Sequence, residues 1–599
     1  MMDIVLTVLW FSGFVYAGNR WLKIDFSYAP IFSVSFVGIL LFVFAVSNYL
    51  KPAAGFLCSA GFILSAIGGI DAWRNRRTQH FPVPVPLFMV LVLLIILSFL
   101  VPLGMKFTVI DDYVYWGIIG KYLYLHHHLP DANTAIIERH LAYTPGTSLF
   151  HYFFYTLTGR YSPAISYFAQ NILLISAFFV VLKKDDFKRT LIFLCLLVIL
   201  LTLFSGSIFT KLQVDYLLSI YSFAVLWIYF REPPTLLTVF TISLPACFLF
   251  LIKEIGIALC LLLLMIILFD LFFHRDLDGK VKFKSIVVVI LTGGIVYLLK
   301  QTWTDHCQMM EFLKFNTGVN MDSIWQAVQF FSDGTVQKGV WLFVKGIFIG
   351  PADRLNLPYV FWYLAVVFFW IKILSKQTTD NKTRYARCLK ILGASFAVYL
   401  ILMYFLQVIV FKVGENYDHT IGLTRYLNIF FCQVVCFTLL LYGDQYLQHI
   451  VSNKRVVFFI TGVILMIGLS RIETELHRDS HYNEAEQVAK KIEKNIDKGK
   501  ENLIGIVPGT NDHHLGIKLL YHLLPNRVNH DGFPVQDKDV FLSSLQQYDF
   551  VLFNEPGDRI EEWIHPFVET PFDNTGFFKI ILGGTDNVKD KIIKLEKVF

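Results

Sequence analysis

Runs of about twenty consecutive apolar residues recur along this chain, and nothing else in it limits the fold as strongly. Val85–Gly104, Ile255–Phe273 and Ile391–Phe411 are the clearest. A helix needs roughly 20 such residues to cross a bilayer. Hydrocarbon offers the backbone no hydrogen bonds, so only helices and closed barrels span it. The runs are continuous rather than alternating, which excludes a β-barrel. Composition agrees: 55% of the 599 residues are hydrophobic, 16% are charged, and Phe occurs 58 times.

The net charge of +6 comes from basic residues scattered over short loops. That pattern gives no nucleic-acid footprint and instead sets orientation across a membrane. The eight cysteines contain no CxxC spacing, and six lie in apolar runs, so neither a disulfide framework nor a zinc site is expected. The first apolar run, Ile4–Ala17, has no basic start and no small-residue cleavage site. It reads as a retained helix.

About 14 spans are expected, at 2–17, 29–48, 54–70, 85–104, 161–182, 189–204, 215–230, 236–252, 255–273, 285–301, 357–375, 391–411, 424–442 and 456–470. Basic loops face the cytoplasm. Arg74, Arg76 and Arg77 mark one, Lys183, Lys184, Lys188 and Arg189 another, with His274–Lys284, Lys376–Lys390 and Lys454–Arg455 completing the set. Loops 105–160, 205–214, 302–356 and 412–423 then lie outside, with the tail 471–599. Pro145–Thr158 is apolar but short, and segments of that length are more often interfacial than spanning. It is placed in the outer interface, where Tyr143, Tyr152, Tyr155 and Tyr161 would form an aromatic belt.

After Arg471 the chain turns polar. A charged helix over Glu473–Asn495 is expected first. Short strands follow at Leu503–Val507, Val528–His530, Phe550–Phe553 and Phe578–Leu582, with helices at Leu515–Leu524 and Val540–Gln546 between them. Gly509 follows a strand without any phosphate-loop pattern. The expected fold is a mainly α, polytopic membrane bundle with a small C-terminal extracytoplasmic α/β domain. Its divisions are 1–84 for the first helices, 85–470 for the main membrane module with its loop 105–160, and 471–599 for the tail.

Acids at a membrane edge are expensive and therefore candidates for function. Asp111 and Asp112 open a loop, Met105–Tyr143, and begin an amphipathic stretch in which Val114, Ile118, Ile119, Tyr122 and Leu125 recur at helical spacing. Asp111 could cap that helix and do no more, or act as a general base. Asp215 ends a short loop on the same expected face, and a helix cap is again the plainer reading. Lys253 and Glu254 interrupt an apolar stretch, as a tight hairpin or as a cation set to meet a phosphate. Arg425 precedes Tyr426 at the mouth of a span, as a snorkelling anchor or a phosphate grip. Glu415, Asp418 and His419 precede it. His126–His128 form a run, with His140 and His151 following. Consecutive histidines on a helix cannot converge on one ion, so no cofactor is assigned. A divalent metal ion on Glu138 and one histidine is the sole candidate.

In order, these features are an acidic pair with an aromatic (Asp111, Asp112, Tyr115), Tyr143-Thr144-Pro145-Gly146 before an aromatic helix, Asp215, Lys253, then Arg425-Tyr426. That order resembles the GT-C membrane glycosyltransferases, especially the protein O-mannosyltransferase and lipid A aminoarabinose transferase branch, over about Val85–Ser470. The first three spans precede the family's usual starting helix. The family's acid–Lys–Pro is replaced by Tyr143-Thr144-Pro145, with Glu138 and Arg139 upstream. The resemblance implies an inverting transferase in the bacterial inner membrane with a periplasmic tail. It would use a polyprenyl-phosphate-linked sugar donor drawn from the membrane lipids and a lipid, glycan or protein acceptor. Asp111 and Asp112 would be its acidic pair, with Asp111 the base. Asp215 would be the second-loop acid, supporting the base or the acceptor. Lys253 and Arg425 would offset phosphate charge, with Glu254, Tyr426, Tyr143 and His419 nearby. An O-antigen polymerase or ligase is the nearest alternative enzyme, and a lipid or glycan flippase the non-enzymatic one.

Overall fold

The computed structural model describes residues 2–598 apart from 76–83, 108, 132–140, 274–276, 313–320, 329–333, 376–378, 447–452, 477–481, 497–500, 508–514, 530–532, 534–536, 556, 569–574 and 584–590. Arg76, Arg77, Glu138, Arg139, His140, His274, Lys376 and Gly509 lie outside the described residues.

Among the described residues nine helices are long and apolar enough to cross a membrane. They are Met2–Arg20, Ala29–Val46, Leu50–Arg74, Pro163–Val181, Phe187–Ser205, Gly256–Phe273, Gly279–Met309, Tyr385–Val410 and Leu423–Tyr446. Four shorter apolar helices accompany them: Val85–Leu100, Leu236–Ile252, Tyr359–Ser375 and Arg455–Leu469. This is the architecture of a multi-pass membrane protein.

The chain forms two compact units. The first is Met1–Met105, Tyr143–Asp305 and Phe315–Thr474; the second is Lys106–Ala142, His306–Lys314 and Glu475–Phe599. The stretch that opens with the acidic pair therefore belongs with the C-terminal tail.

In the first unit the helix Asp215–Arg231 is buried along nearly its whole length. It packs on Leu423–Tyr446, Leu236–Ile252 and Pro163–Phe178. A helix apolar on every side belongs in such a central place. Gly146–Thr158 is equally enclosed: eleven of its thirteen residues are buried, against Ala29–Val46 and Pro163–Phe178. Tyr152 and Tyr155 have no exposed surface. They therefore do not form the aromatic belt expected of them, because their rings pack inside the bundle. The segment carries no charged face, so neighbouring helices cover it on all sides. The expected outer loop 302–356 also holds more helix than its composition suggests, with Gly279–Met309 running on and Met321–Val328 and Gly334–Ile349 following.

The second unit is built on a five-stranded sheet in the order β2-β1-β3-β4-β5, where β1 is Leu503–Val507, β2 Arg527–Asn529, β3 Phe550–Asn554, β4 Thr575–Gly583 and β5 Lys591–Lys597. The helices Leu515–Leu523 and Lys538–Leu545 make the crossovers that parallel strands require, so β1 lies parallel to both β2 and β3. The β3-β4 and β4-β5 pairs are antiparallel. The four expected strands and two expected helices are present within a few residues. The strand β5 and the helix Asp558–Ile564 were not foreseen.

Residues 106–126 are bound to this domain by aromatic and charged contacts. Phe107, Tyr113 and Tyr521 form a triangle of rings with centroids 5.2–5.4 Å apart. Lys121 Nζ donates to the Tyr521 and His522 carbonyls at 2.7 and 3.0 Å. These are the last carbonyls of Leu515–Leu523, where a helix end favours a cation. Lys106 Nζ reaches Glu486 Oε2 at 2.6 Å, and Lys490 reaches Oε1 at 2.8 Å. The two ammonium groups hold the Glu486 carboxyl down at about 2, and burial holds His522 down at about 4.

Both groups sit lower in the fold than in an unfolded chain, so below their ordinary values the unfolded chain takes up the protons first. Stability is therefore full above about pH 6.5, falls first through His522 toward pH 4, and falls further through Glu486 below 4.5. The His522 shift alone is worth at most about 3 kcal/mol. Hydrogen exchange on the full-length protein, corrected for intrinsic rate, should show Leu515–Leu523 losing protection as pH falls from about 7 to about 4.5. Equal protection at both pH values would refute this account.

Candidate functional site

Asp215 is the first residue of Asp215–Arg231 and only 5% exposed. Its carboxylate gains from the helix N-terminus, but it does not act as a cap; the residue before the helix is Val214. Two cations far away in sequence close on it. Lys253 Nζ lies 2.7 Å from Oδ1, and Arg425 Nε pairs with Oδ2.

Each cation is delivered by a helix end. Leu236–Ile252 stops at Lys253, whose backbone turns extended. The next helix starts at Gly256, whose N–H bonds to the Lys253 carbonyl at 2.8 Å. A Cβ on Gly256 would lie 1.9 Å from the Leu249 carbonyl oxygen, so only glycine permits a turn this tight. Gly146 meets the same helix end, where a Cβ would fall 2.5 Å from the Leu251 oxygen. This close approach brings the Tyr143–Gly146 stretch to the residues just before Lys253. Tyr143 itself is half-buried.

Arg425 lies in the first turn of Leu423–Tyr446. The loop before it is pinned by Gln407, whose amide donates to the Ile421 carbonyl at 2.8 Å and accepts from the Ile421 N–H at 3.0 Å. With its amide oxygen turned toward Arg425, Gln213 accepts from Nε and Nη1 at 3.0 and 3.1 Å. The Tyr426 ring lies 5.2 Å from Lys253 Nζ and 5.9 Å from the Arg425 guanidinium carbon, within cation–π range.

A cavity of about 470 Å³ opens beside this triad. Its walls include Asp215, Arg425, Gln213, Tyr216, Thr424 and Asn428. Asn428 is fixed by the Tyr359 hydroxyl at 2.7 Å and donates to the Ala352 carbonyl at 2.9 Å. Lys253 holds Asp215 but is not a wall residue. Two cations face one carboxylate, so the triad keeps one positive charge at the cavity edge. Such a site suits an anionic group, which a guanidinium can grip with parallel hydrogen bonds.

The other expected residues lie apart from this constellation or in the second unit. Glu254 and His419 are exposed. Asp418 is ion-paired with Lys338. Asp111 and Asp112 start a helical stretch, with Asp112–Gly117 wound as a π-helix and Ile118–His126 as an α-helix. Asp111 is half-buried, has helical backbone angles and makes no capping hydrogen bond. Asp112 is fully buried. In the histidine run, His127 takes a left-handed conformation at the helix end, His126 stacks on Tyr122, and His128 bonds the Leu129 carbonyl. Among the described residues no group of three His, Cys, Asp or Glu side chains could hold a metal ion.

Sequence reasoning missed Gln213 and Asn428. Gln213 is two residues from Asp215. Asn428 follows Arg425 by three, which places it on the same helix face.

No protein-family model matches the chain, and no curated protein matches it in sequence.

Proposed function

We propose that this protein is an integral-membrane glycosyltransferase of the GT-C type, moving a sugar from a polyprenyl-phosphate donor to an acceptor at the extracytoplasmic face. The reading includes some 14 spans, a bacterial inner membrane and a periplasmic C-terminal domain. One observation carries most of its weight: Lys253 and Arg425, for which the family resemblance implies phosphate partners, both close on Asp215, and Arg425 lines a cavity. In this reading the acceptor oxygen attacks the anomeric carbon and its proton passes to the Asp111 carboxylate. The bond from that carbon to the phosphate oxygen breaks, and polyprenyl phosphate leaves with the bonding pair. Arg425 meets the charge growing on the phosphate, a fixed electrostatic contribution. Asp215, itself fixed by Lys253, holds the guanidinium in place before the donor arrives.

The test is transfer from a labelled polyprenyl-phosphate sugar by membranes carrying the full chain. Arg425→Ala should lower transfer by about 10²-fold, the usual loss for one such donor. Arg425→Lys should recover only part of it, because an ammonium cannot make the two-pronged contact. Unchanged transfer in Arg425→Ala, or sugar-lipid flux without transfer, would overturn the reading.

A further inference from the structure

We propose that a second cavity, at the far end of the same helices, binds the phosphate of an anionic lipid headgroup. It lies among Phe187–Ser205, Asp215–Arg231, Thr379–Phe405 and Leu423–Tyr446, with a volume of about 180 Å³. Arg189, Arg231 and Asp444 stand near one end of these helices, and Ser205, Asp215 and Arg425 near the other. At 1.5 Å per residue the ends are roughly 25 Å apart. That is close to the hydrocarbon thickness of a bilayer, so the two cavities stand at its two faces.

The chemistry of the walls selects the ligand. Lys183, Arg189 and Arg231 face one carboxylate, Asp444. Arg189 binds Asp444 Oδ1 at 3.1 Å and also pairs with Asp186. Arg231 donates to the Val180 and Val181 carbonyls at 3.1 and 2.8 Å. Those contacts leave donors over. The Trp227 indole N–H and the Arg189 Nε–H are buried and make no hydrogen bond among the described residues. Trp227 is only 8% exposed. Lys183 Nζ has no ion-pair partner among the described residues. A buried donor without an acceptor costs about 1–3 kcal/mol. Both buried unmet groups are donors, so the group that completes the site is an acceptor, and the cations, with Lys183 at the rim, make it an anion.

Size and wall character then favour a lipid. The volume equals about six waters, enough for a phosphate ester but not for acyl chains. The remaining walls are mostly apolar, with the rings of Phe193, Trp227, Phe230 and Phe437 beside Leu441, Cys388 and Thr190, and the Tyr385 hydroxyl is already bonded to Asp444. Basic pockets between membrane helices hold anionic headgroups in this way. This inference does not depend on the proposed transfer activity.

The test uses the full-length protein in phosphatidylcholine nanodiscs. Brominated phosphatidylglycerol and brominated phosphatidylcholine are added in parallel, and quenching of tryptophan fluorescence is read. Exposed tryptophans such as Trp21, Trp73 and Trp341 are quenched by either lipid, so the signal read is the part of the quenching that disappears in Trp227→Phe. We expect that part to saturate with phosphatidylglycerol alone and to be at least tenfold weaker in Lys183→Glu. Lys183 is exposed, so that variant should fold, and the melting temperature checks it. Equal Trp227-dependent quenching by both lipids, or an unchanged midpoint in well-folded Lys183→Glu, would overturn the proposal. Protection by glycerol 3-phosphate at the lipid's own concentration would also overturn it, because the ligand would then be a soluble phosphate ester.

Discussion

An Asp215→Ala protein should be the least stable of all single variants in the cation cluster, by about 3–5 kcal/mol, the usual cost of stripping one partner from a buried ion pair. The reason is the charge count around one buried carboxylate. Lys253 and Arg425 both lean on Asp215. Their side chains differ in escape route: that of Lys253 is 16% exposed and that of Arg425 36%. With the carboxylate gone, Arg425 can move its head toward water, but Lys253 is left as an uncompensated charge. Removing that charge as well should restore stability. We therefore expect Asp215→Ala/Lys253→Met to melt higher than Asp215→Ala in detergent, although it carries one more substitution. Lys253→Met alone should cost less than half as much as Asp215→Ala, because it leaves one carboxylate facing one guanidinium. Transfer should be lost in both proteins that lack Asp215, since the guanidinium is no longer held. The double-mutant cycle gives the coupling directly. A double variant melting no higher than Asp215→Ala would show that Lys253 does not depend on Asp215 for its charge.

The parts of this molecule that could be read from sequence are those set by local pattern. Continuous apolar runs announce helices whatever surrounds them, and Leu503–Val507 was legible as a strand because short β-branched runs between turns have few other uses. The residues of the Asp215 cluster were also legible one by one, since a charge at a helix end stands out against hydrocarbon. Their pairing was not. Lys253 and Arg425 are 38 and 210 residues from Asp215, and no periodicity links them. The burial of Gly146–Thr158 was hidden for a related reason: length measures fitness to span a bilayer, whereas burial depends on neighbours supplied by distant sequence. The grouping of Lys106–Ala142 with the C-terminal domain was hidden in the same way. Lys121 reads as a surface lysine until the helix end it caps, some 400 residues later, is in view.

The adjacent carboxylates Asp111 and Asp112 should separate cleanly into one that serves chemistry and one that serves folding. Asp112 has no exposed surface, whereas Asp111 is half-buried at the start of the π-helical turn. A base must reach both its substrate and, between turnovers, the water that carries its proton away. Only Asp111 has that access. Asp111→Asn keeps the shape of the side chain and removes its charge and basicity, and at a half-buried position water can meet the new amide donors. We expect it to insert, melt like the parent and lose transfer by about 10²–10⁴-fold, the range for a general base. Asp112→Asn replaces a buried acceptor-only group with one that also carries two donors. Unmet donors in a closed environment cost about 1–3 kcal/mol, so this variant should melt lower. Whatever fraction remains folded should still show transfer. Melting curves and initial rates on matched membrane preparations separate the two effects. If Asp111→Asn retains full activity while Asp112→Asn loses it without a change in melting, the base has been assigned to the wrong carboxylate.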